Sequence, residues 1–348
     1  MTICEEPTIS GSVSFPTLTG APPLVIAHRG ASGYFPEHTV QSYEKAIELG
    51  ADFIEPDLVA TKDGILIARH EPWLADTTDI ASHGEFADRK TTRFIDGQER
   101  SDWFASDFTL EEIKMLRAKQ SFAHRDQSFN SKFQIPTLNE IIELTKQSSF
   151  ATGRMVGIYP ETKHPTYHQE IGLSLEDRLL KALAAEGWTE QDSPVIVQSF
   201  ETSNLKHMRA HSNIRLLQLI GGADEHPYDL TLAGDQRNYL TLVTNGLDEI
   251  ASYANGIGAP KEFLLGQAEI DGLTVSNAIA HTQGKNLFIH AYTFRNEPKF
   301  QVTLSGGNPI AEYKAVYAMG IDGVFSDFPD TAITARDSYA TELAHAGS

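Results

Sequence analysis

The chain has 348 residues, 41% of them hydrophobic, and a formal net charge of −19. That length is generous for one ordinary domain but suits an α/β barrel with an insertion, and the hydrophobic content supports a large core rather than disorder. The acidic balance argues against a nucleic-acid partner and requires that any anionic ligand meet a locally cationic pocket.

A single cysteine, Cys4, excludes an internal disulfide framework and a cysteine-built zinc site. Its simplest reading is an idle thiol near a frayed terminus. The opening residues MTICEEPTISGSVSFPTL lack the basic start and continuous apolar core of a signal peptide, and no apolar run reaches transmembrane length. The expectation is a cytoplasmic protein with no stable membrane insertion, or a periplasmic or secreted one if a leader was removed before this numbering. Oligomeric state is not legible.

In chain order, apolar runs expected to form strands lie at Leu24–His28, Phe53–Val59, Ile65–Ala68, Met155–Pro160, Val195–Phe200, Ile214–Ile220, Ser252–Ile257, Leu287–Phe294 and Gly323–Phe328. Helical periodicity is expected at Thr39–Leu49, Leu138–Lys146, Leu175–Glu186, Thr202–Ala210, Thr274–Gln283 and Ala311–Met319. Such alternation implies a parallel sheet covered by helices, and roughly eight strands over this length fit a (β/α)8 TIM barrel, spanning 20–340, better than an open doubly wound sheet. HRGAS after the first strand is not the glycine fingerprint of a dinucleotide fold.

The stretch 71–135 breaks the alternation. It reads as polar and irregular, except for a helix near Leu110–Arg117 that Thr109 and Glu112 can open as a capping box. A long excursion after an early strand is most simply an enlarged loop, expected to roof the catalytic face. Its Arg89, Lys90 and Arg93 read as a solvated face.

Several strand ends carry chemistry. Alternation puts Glu55 and Asp57 on one face, where two adjacent carboxylates either hold a cation or form a solvated acidic strand end. Pro56 between them predicts a break or bulge in the ladder. His28 closes LVIAH and His70 closes GILIARH; either could be a half-buried core histidine, but two such strand ends favour a shared role. Glu161 and Lys163, in YPETK, share another strand-end face. Glu161 would complete a three-carboxylate set for one hard divalent cation, Mg²⁺ or Ca²⁺, with Lys163 a charge for phosphate; the alternative is a surface ion pair. Alternation also groups Gln198 with Phe200, His290 with Tyr292 and Phe294, and Phe325 with Asp327. The phenylalanines read as interior filling, whereas Gln198 and Tyr292 are candidates for contacting a small polar ligand.

These motifs occur in register and order from about Leu24 to Asp330: HRGASGYFPEHT, the E-x-D of FIEPD, RHE, YPETKHP, HAYTFR and DGVFSDFPD. Together they resemble the glycerophosphodiester phosphodiesterase family. The resemblance implies a (β/α)8 barrel with an insertion, and metal-dependent hydrolysis of glycerophosphodiesters to an alcohol and glycerol 3-phosphate. It places the metal ligands on Glu55, Asp57 and Glu161, the acid–base histidines on His28 and His70, and the phosphate contacts on Arg29 and Lys163. His28 is expected to act as acid and His70 as base, with either water or a glycerol hydroxyl attacking. Two departures stand out: His38 where many members carry asparagine, and Glu71 where aspartate is frequent. The competing expectations are a phospholipase D-like hydrolase of lysophospholipids, a catalytically silent phosphate-binding barrel and, by fold analogy alone, a sugar-phosphate isomerase or aldolase.

Overall fold

The computed structural model describes residues 13–265, 275–302 and 306–346. Cys4 and Thr274 lie outside the described residues. Eight barrel strands run parallel: β1 (Leu24–His28), β2 (Phe53–Glu55, resumed as Asp57–Ala60), β3 (Gly157–Ile158, resumed as Glu161–Thr162), β4 (Ile196–Ser199), β5 (Arg215–Leu219), β6 (Gly256–Pro260), β7 (Phe288–Phe294) and β8 (Gly323–Ser326). β1 pairs with both β2 and β8, and each later strand pairs with the next, so the ring closes. The break in β2 falls at Pro56, as its missing N–H predicts. Across the gap Pro56 still accepts from the Glu161 amide at 3.0 Å, so the ladder continues on its acceptor side.

Capping chemistry positions the helices. Thr39 accepts from the Ser42 amide at 3.2 Å to open Val40–Glu48. Thr137 and Glu140 form a reciprocal capping box at Leu138–Thr152. The helical faces pack on the outer barrel surface to make the largest apolar cluster. A second cluster fills the barrel interior with Ile26, Phe53, Tyr159, Ile196, Leu217, Leu219 and Phe325. Among the described residues, no helix is long and apolar enough to cross a membrane.

Several expectations are corrected. Leu66–Ala68 is not a barrel strand; it folds back antiparallel on Asp57–Ala60. The short link between them cannot make a parallel crossover, which needs about a dozen residues. Ser252 and Tyr253 end the helix Leu247–Tyr253, and the strand starts only at Gly256. Phe294 does not share the inward face of His290 and Tyr292. The register shifts between Ala291 and Phe294, turning Phe294 outward to stack on Tyr313 at 4.7 Å.

The region 71–135 is more ordered than its polarity suggests. Thr91–Ile95 and Gln98–Asp102 form a hairpin whose turn residues Asp96 and Gly97 have φ of 49° and 77°. The Thr109 capping box is present, although the helix is the shorter Leu110–Ile113. Leu74, Ile80, Phe86, Trp103 and Phe108 give the insertion its own apolar cluster, closed against Val59 and Ile67. Arg89 and Arg93 are not merely solvated: Arg89 lies 3.8 Å over the Phe108 ring and pairs with Glu112, and Arg93 pairs with Asp107.

Candidate active site

Strand register brings the acidic residues together at the barrel mouth. His28 aligns with Glu55, Asp57 with Glu161, and Glu161 with Gln198. One oxygen each from Glu55, Asp57 and Glu161 lies within 4.8 Å of the others, and all three residues are buried. Glu55 accepts from the Arg29 amide at 2.7 Å and from Gln198 Nε2 at 3.0 Å. Lys163 Nζ donates to Glu161 at 2.8 Å, whereas Asp57 Oδ1 is buried with no partner.

The cluster is short of positive charge. Burial, then the charges of Asp57 and Glu161, raise the Glu55 carboxyl well above its ordinary range. Burial also raises Glu161, to about 8, with Asp57 adding to it and Lys163 opposing. Burial works against the charge of Asp57 too, but Lys163, His70 and His38 hold it well below the usual value. An all-oxygen set with an orphaned buried lone pair and two destabilised carboxylates fits a hard divalent cation.

Cationic and titratable groups ring this cluster. Arg29 occupies the left-handed region (φ 59°) and Gly30 follows at φ 87°, a turn that swings the guanidinium back over the mouth. A Cβ on Gly30 would sit 2.4 Å from Ser42 Oγ and 2.8 Å from the Ser42 carbonyl carbon, so the turn needs glycine. Arg29 donates to Glu37 at 3.1 Å, and its Nε lies 3.5 Å from Asp57 Oδ2. His28 Nδ1 lies 2.6 Å from Asp327 Oδ1. His70 Nδ1 lies 2.7 Å from Glu71, and its Nε2 is 3.2 Å from Lys163 Nζ. Both histidines are lowered to about 4, by burial first and Arg29 next, with Lys163 adding at His70.

A cleft of about 110 Å³ lies among these groups, its polar side formed by His28, Arg29, Glu55, His70, Glu161 and Lys163. Phe200, Leu219, Tyr292 and Phe325 make the apolar wall. Gln198 lines the cleft and donates from Nε2 to Glu55, while its Oε1 is buried with no partner. Tyr292 presents its ring, because its hydroxyl donates to the Ile220 carbonyl. His290 sits away from the cleft, its Nδ1 2.9 Å from the Tyr159 hydroxyl. Sequence reasoning missed Glu37, Arg125 and Arg295, and gave Asp327 only a shared face. Nothing in the local sequence of Arg125 distinguishes it from the insertion's other cations.

The model of the glycerophosphoryl diester phosphodiesterase family matches residues 28–331. The chain belongs to this family. The phosphodiesterase is 37% identical to a glycerophosphodiester phosphodiesterase of Arabidopsis thaliana over 88% of this chain and 84% of the relative. It is 30% identical to one from Haemophilus influenzae over 89% of this chain and 88% of that protein. Its barrel resembles that of a Silicibacter pomeroyi protein described as a putative glycerophosphoryl diester phosphodiesterase, at a TM-score of 0.65, 18% identity, and coverage of 93% and 98%. It also resembles an Oleispira antarctica phosphodiesterase solved with its product sn-glycerol-3-phosphate, at a TM-score of 0.59, 22% identity, and coverage of 92% and 99%. The family's members are phosphoric diester hydrolases, and so is this phosphodiesterase.

Proposed function

We propose that the protein hydrolyses glycerophosphodiesters to glycerol 3-phosphate and an alcohol, using one divalent cation and two histidines. The observation that carries this is the buried Glu55–Asp57–Glu161 cluster, with its unpartnered Asp57 Oδ1, set beside His28 and His70 in one cleft. Mg²⁺ or Ca²⁺ held by those three carboxylates would supply Lewis-acid charge to a phosphate oxygen. The glycerol 3-phosphate seen in the Oleispira antarctica structure supports the same product here.

Arg29 and Lys163 line the cleft and stabilise the charge that grows on the phosphoryl oxygens. Lys163 donates towards His70 Nε2, so that nitrogen carries a lone pair; with Nδ1–H held by Glu71, His70 is set up as the base. His28, backed by the Asp327 carboxylate, delivers a proton to the departing alkoxide. Burial and Arg29 lower its affinity for protons, against which Asp327 acts to raise it.

The test is release of glycerol 3-phosphate from a panel of glycerophosphodiesters, with and without chelator. Activity lost in chelator and restored by Mg²⁺ or Ca²⁺ is expected; full activity in metal-free buffer sinks the cation assignment. Including lysophosphatidylcholine separates the lysophospholipid reading, which predicts faster turnover of that substrate than of glycerophosphocholine.

A further inference from the structure

Behind His28 lies an arrangement that acid–base chemistry alone does not require. Asp327, with a side chain 1% exposed, uses Oδ1 for His28 Nδ1. Its Oδ2 accepts from two arginines at once, Arg125 Nη2 at 2.6 Å and Arg295 Nε at 2.9 Å. Arg125 belongs to the insertion, Arg295 follows β7, and Asp327 follows β8. Arg125 is itself fixed on every side. Its Nη1 donates to the Ser32 carbonyl at 3.1 Å and its Nε to Glu297 at 2.7 Å, and its guanidinium lies 4.4 Å from the Phe122 ring. Its side chain is only 3% exposed.

We propose that Arg125 is a positioning residue for catalysis: with Arg295 it clamps Asp327 so that His28 keeps its proton on Nδ1 and offers Nε2 to the cleft. A carboxylate with one oxygen held by two guanidinium groups cannot rotate, so Oδ1 has a single direction in which to receive the imidazole N–H. The same cations keep Asp327 ionised, so proton traffic passes through Nε2 rather than leaking to the carboxylate. On this reading the insertion, none of whose residues lines the cleft, completes the histidine's support from behind. The proposal rests on the acid–base assignment of His28, and its test separates the two.

Arg125→Met is compared with wild type on glycerophosphocholine and on a p-nitrophenyl ester of glycerol phosphate, whose phenolate leaves without being protonated. The expected result on glycerophosphocholine is a fall in kcat of about tenfold or more. KM should stay within about twofold, and the loss on the activated ester should be much smaller. Adding Arg125→Met to His28→Ala should cost nothing further on the activated ester. Gln120→Ala, which removes the bonds to the Ser32 and Phe35 carbonyls and the 3.4 Å bond from the Phe122 amide without touching Asp327, should keep wild-type kcat.

Wild-type kcat in Arg125→Met overturns the clamp, as does an undiminished further loss in the His28→Ala background. So does an equal loss in Gln120→Ala, which would make the effect one of insertion docking. If the loss is equal on both esters but absent in the His28→Ala background, the clamp stands and the acid assignment falls. A fully active His28→Ala enzyme would remove the acid–base reading and the clamp with it, whereas inactive His28→Ala beside unaffected Arg125→Met removes only the clamp.

Discussion

His38 Nε2 lies 2.9 Å from Asp57 Oδ2, in a residue whose backbone adopts φ 55°. The other ring nitrogen lies 2.8 Å from the Tyr43 hydroxyl, so the imidazole is fixed at both ends and holds Asp57 with Oδ1 left free. Asparagine could stand in for histidine here: both carry a donor, and both tolerate the left-handed region. His38→Ala should weaken divalent-cation affinity roughly 10- to 100-fold, the usual effect of losing a group that orients a ligand. His38→Asn should lose much less. Titration calorimetry with Mg²⁺ and Ca²⁺ decides, and unchanged affinity in the alanine variant refutes the role.

Gln198 serves Glu55 in the same way, through a 3.0 Å bond from its amide. Read from sequence it is a substrate contact; in the fold one of its N–H groups is committed to Glu55 and its Oε1 is without a partner. Gln198→Leu should therefore raise the cation concentration needed for half-maximal rate while leaving kcat at saturating cation near wild type. A raised KM for the diester at saturating cation would return Gln198 to the substrate.

The barrel was legible because its signals are periodic and local. LVIAH is bounded to the residue, and Glu55 and Asp57 converge on one face although the strand is interrupted at Pro56 between them. Legibility ended where geometry departs from periodicity. The shift between Ala291 and Phe294 reverses which residues face inward, and no alternation rule anticipates it. The hairpin at Thr91–Asp102 carried a usable signal, Asp96–Gly97, that the polarity of its flanks obscured. Glu37, Arg125 and Arg295 were beyond reach for another reason: each acts through a partner distant in sequence or in another element. Arg125 lies 202 residues from the carboxylate it holds.

Lys261 and Glu312 form an ion pair in which each side chain is 1% exposed, with Nζ 3.2 and 3.1 Å from the two carboxylate oxygens. Removing one partner leaves the other charge buried without compensation, which costs far more than the intact pair contributes. Lys261→Met should destabilise the fold by about 3–5 kcal/mol, and pairing it with Glu312→Leu should recover most of that loss. Denaturant unfolding of the two variants checks this; a single variant as stable as wild type would refute the buried-charge argument.

His164 joins the insertion to the catalytic region: its Nδ1 lies 2.6 Å from Asp96 at the hairpin tip and its Nε2 3.4 Å from Glu71, the residue that holds His70. Burial disfavours the imidazolium, but the two carboxylates outweigh it and raise His164 from 6.5 to about 9. Because the folded value lies above the ordinary one, the stabilisation is complete below about pH 6.5 and fades as pH rises through about 9. His164→Asn keeps a residue suited to the φ of 47° while removing the charge. The gap in melting temperature between wild type and His164→Asn should be widest at or below pH 6.5 and narrow steadily up to pH 9 and beyond. A gap independent of pH over that window would mean that His164 acts through packing alone, not as a cation between Asp96 and Glu71.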